Sequence, residues 1–176
     1  FLFIGPHPDD IEIGAGATAA KLAAAGKKVC FLICIDGRFG YANAPQGITS
    51  EALAAMRQDE ARQSAARLGV HDVRFLGLTD GGFYTQDELL RGIARSIGEF
   101  RPDAVFAPDP CVTSECHIDH LNVGEAVRRA ASITPPVEPK TTAAPVPVPK
   151  GLSKGVSSKV AGTICSPRNM RTISRV

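Results

Sequence analysis

The sequence predicts an α/β protein with a doubly wound, mostly parallel sheet that carries helices on both faces. Two observations favour this fold class. Short apolar runs of strand length alternate along the chain with longer segments of helical periodicity. The clearest of these runs, Val29–Ile35, is continuously apolar, which is typical of a parallel strand covered on both faces. A single domain can contain this alternation within the 176 residues.

The first βαβ unit lies at the start of the sequence. Phe1–Ile4 is an apolar run that predicts the first strand, and a polar turn follows it. The segment Gly14–Ala25 is rich in small residues and predicts a helix that can pack closely on a sheet, with Gly26 suited to its C-terminal end. Val29–Ile35 then supplies the second strand.

The same alternation continues to about residue 131. The predicted elements are a loop at 36–48, a helix from Thr49 or Ser50 to about Leu68, a strand at Val70–Leu76, a helix capped by Asp87 and ending at Phe100, a strand at Ala104–Ala107 and a helix at His117–Ala131. Four strands that alternate with four helices, joined by right-handed crossovers, indicate a Rossmann-like sheet.

Residues 1–133 form the predicted folded domain, and residues 134–176 form a tail of different character. Seven of the 13 prolines lie in 135–176, together with seven Lys or Arg residues and a single acidic residue, Glu138. We expect this tail to be irregular, disordered or loosely attached, with one short strand within Val156–Ile164. The tail also accounts for the net charge of +2, because the rest of the chain is acidic overall.

Composition argues against several classes of function. A positive charge confined to the tail does not indicate a nucleic-acid-binding domain, and no run approaches the roughly 20 apolar residues of a membrane span. Five cysteines without a CxxC pair argue against a disulfide framework and for a reducing compartment. The sequence therefore predicts a cytoplasmic protein without a nucleic-acid partner, and it is compatible with a homo-oligomer.

Two polar clusters follow the ends of predicted strands. His7, Asp9 and Asp10 follow the first strand, and His117-Ile118-Asp119-His120 follows the fourth. Ligands of open α/β sheets bind at the carboxyl ends of the strands, so we expect the two clusters to meet there. His7, Asp10 and His120 would form a two-histidine, one-carboxylate set that suits Zn²⁺ with an open position for water, although Fe²⁺ uses the same set.

The remaining polar residues of the clusters suggest a division of labour. Two adjacent carboxylates cannot both point at one ion without strain, so we assign Asp10 to the metal and Asp9 to the role of general base. If His120 alone of the later pair binds the metal, His117 faces the substrate and can stabilise an oxyanion or protonate a leaving group. Asp119 would orient an imidazole. Cys116 could be a ligand, but a bystander thiol is the simpler interpretation.

Residue types alone leave alternatives open. Adjacent aspartates after a first strand are also typical of phospho-receiver domains, although histidines are not needed there. A sugar-binding or metal-binding protein without catalysis would keep the same ligands. Arg57 on its helix is explained by a buried stem with a solvated head, and Asp80 by its preference for turns.

The segment PHPDDIEIG at 6–14 resembles the opening motif, (A/P)HPDDE and its variants, of the GlcNAc-PI de-N-acetylase (PIG-L/LmbE-like) family of zinc-dependent deacetylases. HIDH at 117–120 resembles the HxDH motif of that family. Between them, RQDEA at 57–61 is similar to its RxxEA helix, and TDGG at 79–82 is similar to its DG turn. The resemblance covers Phe1 to about Ala131.

This resemblance implies an amide hydrolase that removes the acetyl group from a small amino-sugar conjugate of the N-acetylglucosamine type. It implies zinc on His7, Asp10 and His120, activation of water by Asp9, and oxyanion stabilisation or leaving-group protonation by His117. Arg57 and Asp80 match positions that contact substrate hydroxyls or phosphate-like groups. Arg38 stands where the family frequently has an acidic residue.

Overall fold

A computed structural model describes residues 1–133 and a separate strand at Gly162–Cys165. The strands are β1 (Leu2–Gly5), β2 (Cys30–Ile35), β3 (Asp72–Leu78), β4 (Val105–Pro108) and β5 (Gly162–Cys165). The helices are α1 (Asp10–Ala24), α2 (Ser50–Arg67), α3 (Gln86–Phe100) and α4 (Ile118–Ile133), and a short 3₁₀ turn lies at Tyr41–Asn43. The predicted alternation of four strands with four helices is confirmed.

The strands form one sheet in the order β3-β2-β1-β4-β5. Strands β1, β2, β3 and β4 run parallel to one another, and β5 pairs antiparallel with β4. Every residue of β1 and β2 is buried, as the continuous apolar runs predicted. The predicted fold class, a mostly parallel sheet with helices, is therefore confirmed.

Alternate side chains of the central strands divide the core into two layers. Leu2, Leu32 and Cys34 face one layer, where α3 and α4 contribute Leu89 and Val123 among others. The intervening strand residues, such as Phe3, Phe31 and Ile33, face the other layer. Helices α1 and α2 contribute to that layer with Ile11, Ala19, Ala61 and Ala65. Because successive strand residues point to opposite faces, helices cover both sides of the sheet.

Two helix starts differ from the predictions. α1 begins at Asp10 rather than at Gly14, because the Asp10 carboxylate accepts the backbone N–H of His7 and holds the turn against the helix. α3 is capped by Thr85 rather than by Asp87, since the Thr85 side chain and the Glu88 side chain form a reciprocal capping box. The first difference matters for function, because it fixes Asp10 in the first turn of a helix.

The predicted tail lies mostly outside the described residues. Its predicted short strand, within Val156–Ile164, overlaps β5, whose backbone pairs with β4 from Val105 to Pro108. Disorder or loose attachment of 134–176 stays a prediction. Within the residues that the structure describes, no helix has the length and apolar character needed to cross a membrane.

Candidate metal centre

Two loops meet at the carboxyl edge of the sheet. β1 and β4 are parallel neighbours, so loop 6–9 after β1 and loop 109–117 after β4 leave from the same edge. Gly124 lets α4 approach that edge closely, because a Cβ at this position would lie 2.7 Å from the carbonyl oxygen of Pro108. As a result, ligand atoms of His7, Asp10 and His120 lie within 4.8 Å of one another.

The carboxylate of Asp10 is the centre of this group. Its Oδ2 lies 3.2 Å from Nδ1 of His7 and 3.4 Å from Nε2 of His120, and it accepts the backbone N–H of His7 at 2.8 Å. Burial alone would raise the pKa of Asp10, but the hydrogen bonds from His120 and His7 outweigh it and hold that pKa well below its usual range. Asp10 is therefore anionic at any ordinary pH.

A second group, His7, His117 and Asp119, also lies within 4.8 Å. Asp119 is fully buried, and both of its carboxylate oxygens already have hydrogen-bond partners. Oδ1 accepts from the Tyr84 hydroxyl at 2.7 Å. Oδ2 accepts from the Gly81 N–H at 3.0 Å and lies 3.2 Å from Nε2 of His7. With Nε2 of His7 turned to Asp119, Nδ1 is the nitrogen left for a metal. The first group is thus the better cation site, and its donor set of two imidazoles and one carboxylate fits Zn²⁺.

Asp9 has different partners from Asp10. Its φ of 128° is a strained conformation for a residue with a side chain. Arg57 holds Asp9, donating from one nitrogen to Oδ2 of Asp9 at 2.9 Å and to the carbonyl oxygen of Pro8 at 2.6 Å. Burial and the nearby charge of Asp10 raise the pKa of Asp9, although Arg57 opposes this shift. The structure therefore gives the two carboxylates different environments.

His117 lies on the open side of the cluster. Its side chain is 48% exposed, and its ring stacks on the ring of His120 with centroids 4.9 Å apart. Nδ1 of His117 accepts the backbone N–H of Asp119 at 3.3 Å, which leaves the proton of the neutral ring on Nε2. The residue can therefore donate a hydrogen bond from Nε2.

The sequence profile of the PIG-L family, described as GlcNAc-PI de-N-acetylase, matches residues 2–131. The chain belongs to this family. Similar curated proteins include diacetylchitobiose deacetylase of Thermococcus kodakarensis, which is 36% identical over 123 residues, 70% of this chain and 45% of the relative. Another is 1D-myo-inositol 2-acetamido-2-deoxy-alpha-D-glucopyranoside deacetylase of Kineococcus radiotolerans, 32% identical over 73% of this chain and 44% of the relative.

A solved structure with the same PIG-L fold is N,N'-diacetylchitobiose deacetylase of Pyrococcus horikoshii, in complex with an inhibitor. It superposes with a TM-score of 0.69 and is 32% identical over 74% of this chain and 48% of that chain. The chain thus spans about half the length of the relatives that it matches. The recognition of the family from the paired motifs is confirmed.

Two residues predicted to touch substrate have other contacts in this PIG-L chain. Oδ1 of Asp80 lies 3.3 Å from Nε2 of His7, and its Oδ2 accepts the N–H of Phe39 at 3.2 Å; the side chain is only 12% exposed. Arg57 is engaged with loop 6–9 and with Glu60 on its own helix. Substrate contacts by Asp80 and Arg57 stay predictions.

Arg38, which departs from the family pattern, has partners of its own. Its guanidinium lies 2.7 Å from the buried carboxylate of Asp36, and Asp36 also accepts the N–H of Asp80 at 3.3 Å. The cationic partner that burial of the Asp36 carboxylate requires is therefore Arg38. Cys116 belongs to neither of the histidine and aspartate groups found within the described residues.

Three polar residues near the centre were not singled out from the sequence. Tyr84 donates to Asp119, and Asn122 donates to Tyr84 at 3.2 Å. Glu115 accepts a hydrogen bond from Nδ1 of His120 at 2.9 Å. Glu115 lies two residues before the HxDH motif, so its position in the sequence could have indicated it. The position of Tyr84 depends instead on how loop 79–85 folds back to α4.

The metal-free protein is expected to lose stability as pH rises through the range of His120. The hydrogen bond to Asp10 raises the pKa of His120 from 6.5 to about 9, although burial opposes the shift. Stability gained from the charged ring is therefore fully present below the unfolded pKa of 6.5 and disappears as pH approaches about 9. Thermal unfolding in chelator from pH 6 to 9.5 measures this decline, which the His120→Gln variant should lack. A wild-type melting temperature that stays level across this range would contradict the expectation.

Proposed function

We propose that this chain is a zinc-dependent N-deacetylase that hydrolyses the acetamide of an N-acetylglucosamine-type conjugate. The observation that carries the proposal is the group of His7, Asp10 and His120, with Asp9 and His117 adjacent to it. The relatives support the substrate class, because their names place acetamido sugars at their sites. The partner of the chain is then a small amino-sugar conjugate.

The three ligand residues would hold the metal through Nδ1 of His7, Oδ2 of Asp10 and Nε2 of His120. When bound, zinc lowers the pKa of water and polarises a carbonyl oxygen. Fe²⁺ accepts the same ligands, so the choice between the two metals is part of the experiment.

Asp9 would act as the general base. Hydrolysis adds the hydroxyl of water to the carbonyl carbon, breaks the carbon–nitrogen bond and places hydrogen on the nitrogen. Asp9 is well suited to remove the proton from water, because burial and Asp10 raise its pKa while Arg57 keeps it in one orientation. Its side chain is about half exposed, so a substrate can reach it.

His117 would act on the opposite side of the scissile bond. Its Nε2 proton is free to be donated, since Nδ1 already accepts from the backbone of Asp119. A hydrogen bond from this nitrogen stabilises the negative oxygen that develops during attack, and a charged ring can pass a proton to the leaving amine. Because the side chain of His117 is about half exposed, a substrate can reach it.

The buried acids behind the site would orient the ligands. Asp119 and Asp80 both face Nε2 of His7, which fixes the ring with Nδ1 toward Asp10. Asp119 is itself held by Tyr84 and Gly81; the positive φ of Gly81 allows its N–H to point at the carboxylate. We infer that Asp119 is an orienting residue rather than a metal ligand.

The experiment is an acetate-release assay on the full chain, stripped of metal and then reloaded with Zn²⁺ or Fe²⁺. N,N'-diacetylchitobiose and N-acetylglucosamine linked to inositol are suitable substrates, because they represent the sugars named for the relatives. We expect equal amounts of acetate and free amine, and none without metal. Metal bound with no turnover on any acetylated amino sugar would instead favour a non-catalytic sugar-binding or metal-binding relative.

A further inference from the structure

Both ring nitrogens of His120 face carboxylates. Nε2 lies 3.4 Å from Oδ2 of Asp10, at the candidate metal position, and Nδ1 lies 2.9 Å from Oε2 of Glu115. The second contact is the shorter of the two and involves a residue from loop 109–117, outside both sequence motifs. His120 is therefore held from behind as well as from the metal side.

The contact with Glu115 determines which nitrogen of His120 can bind a metal. While the ring is charged, it donates to both carboxylates. Once an ion takes the place of the proton on Nε2, Nδ1 keeps its own proton, because the ionised carboxylate of Glu115 only accepts hydrogen bonds. The lone pair then lies on Nε2, which faces Asp10. Of the two neutral tautomers, this is the one that can coordinate an ion shared with His7 and Asp10.

Glu115 is itself fixed at both carboxylate oxygens. Oε1 accepts the backbone N–H of His117 at 2.8 Å, while Oε2 contacts the ring of His120. The side chain is 28% exposed, so it keeps a definite orientation without being deeply buried. It thus connects the residue before α4 to a ring in the first turn of that helix.

A cavity lies beside the contact between Glu115 and His120. Glu115, His120 and Asp10 line a cavity of about 210 Å³ whose walls are otherwise mainly apolar. A ring beside such a space has room to rotate when its hydrogen bond is absent, and a small number of waters could replace the carboxylate. Glu115 prevents both by holding Nδ1.

We propose that Glu115 is a positioning residue that fixes the orientation and tautomer of His120 for metal binding. The inference rests on the metal site of the proposed function and adds a residue to it. Glu115 does for His120 what Asp119 does for His7, so each imidazole of the centre has a carboxylate behind it. Glu115 acts through His120 and is not assigned any contact with substrate.

A simpler role must be separated from this one, because Glu115 also accepts the backbone N–H of His117, the residue before α4. Glu88 offers a matched control: its carboxylate accepts from the backbone and hydroxyl of Thr85, the residue before α3, at 2.8 and 2.7 Å. Glu88→Ala removes a comparable contact at a helix start without touching the metal centre. Any effect of Glu115→Ala on metal affinity that Glu88→Ala lacks belongs to the site.

The experiment measures zinc affinity by competition with a chromophoric chelator on the full chain. Loss of an outer partner of a metal-binding histidine weakens affinity by about 10- to 100-fold, which is the change expected for Glu115→Ala. Glu115→Gln keeps one acceptor oxygen for two donors and should lie between wild type and Ala. Glu88→Ala should match wild type. A Glu115→Ala protein that binds zinc as tightly as Glu88→Ala would overturn the proposal.

A double-variant cycle tests whether Glu115 acts through the ring. In a His120→Ala background the ring is gone, so adding Glu115→Ala should change zinc affinity little further. An undiminished effect would assign Glu115 to the loop instead and contradict the proposal. Wild-type protein without zinc affinity would be a failure of the proposed function, which is a different result from unchanged affinity in Glu115→Ala.

A measurement on the unmodified chain avoids any variant that fails to fold. Long-range ¹H–¹⁵N spectra of the zinc-loaded protein identify the tautomer of each imidazole. We expect His120 to carry its proton on Nδ1, with that proton protected from exchange with water. A proton on Nε2 of His120 would exclude the role of Glu115.

Discussion

Replacing Asp9 by asparagine is expected to reduce acetate release by about 10²- to 10⁴-fold, the contribution of a positioned general base. Zinc should remain bound, because the proposed ligand atoms belong to His7, Asp10 and His120. Asparagine keeps an oxygen that can accept from Arg57, so the loop should keep its shape. Acetate release by the zinc-loaded variant, together with its zinc content, gives the result.

Asp59→Asn is the control, since Asp59 is an exposed carboxylate on α2 that contacts only Gln63 among the hydrogen bonds of the described residues. It should retain full activity. Asp9→Gly is a second test: glycine tolerates the φ of 128° and should relieve about 1 kcal/mol or more of strain while remaining inactive. Near-wild-type turnover in Asp9→Asn or Asp9→Gly would remove Asp9 from the mechanism.

Replacing His120 by alanine is expected to weaken zinc binding by more than about 100-fold, beyond the loss typical of an outer partner. One of three protein ligands disappears, and Asp10 loses the ring that faces its Oδ2 at 3.4 Å. Activity should be lost together with the metal. Metal content after dialysis against a weak chelator measures the effect directly.

His71→Ala is the matched control, because His71 is exposed and is the one of the four histidines that lies outside both motifs. Its zinc content and acetate release should equal those of wild type. A His120→Ala protein that still binds one zinc ion with wild-type affinity would show that the metal uses other residues, such as the alternative group of His7, His117 and Asp119. That outcome would also remove the basis for the role of Glu115.

The sequence by itself determined the fold class and the edge of the sheet at which the site lies. Continuous apolar runs predict buried parallel strands, and the carboxyl ends of such strands lie at one edge, so the segments after β1 and β4 were expected to meet; the pairing of β1 with β4 in the structure brings them together. The pairing of His7 and Asp10 with His120 follows from this rule and from the ligand chemistry of imidazole and carboxylate. No knowledge of side-chain contacts was needed for that step.

Only the tertiary structure decided which acid serves which ring. Sequence adjacency places Asp119 beside His120, yet its fully buried carboxylate faces His7, while Glu115 from the preceding loop faces His120. The same holds for Asp80, which reads as a turn residue but lies against His7. The partner of each acid depends on how the loops fold back over the edge of the sheet, because a buried carboxylate must find a hydrogen-bond donor there. Loop folding leaves no periodic pattern or fixed spacing in the sequence.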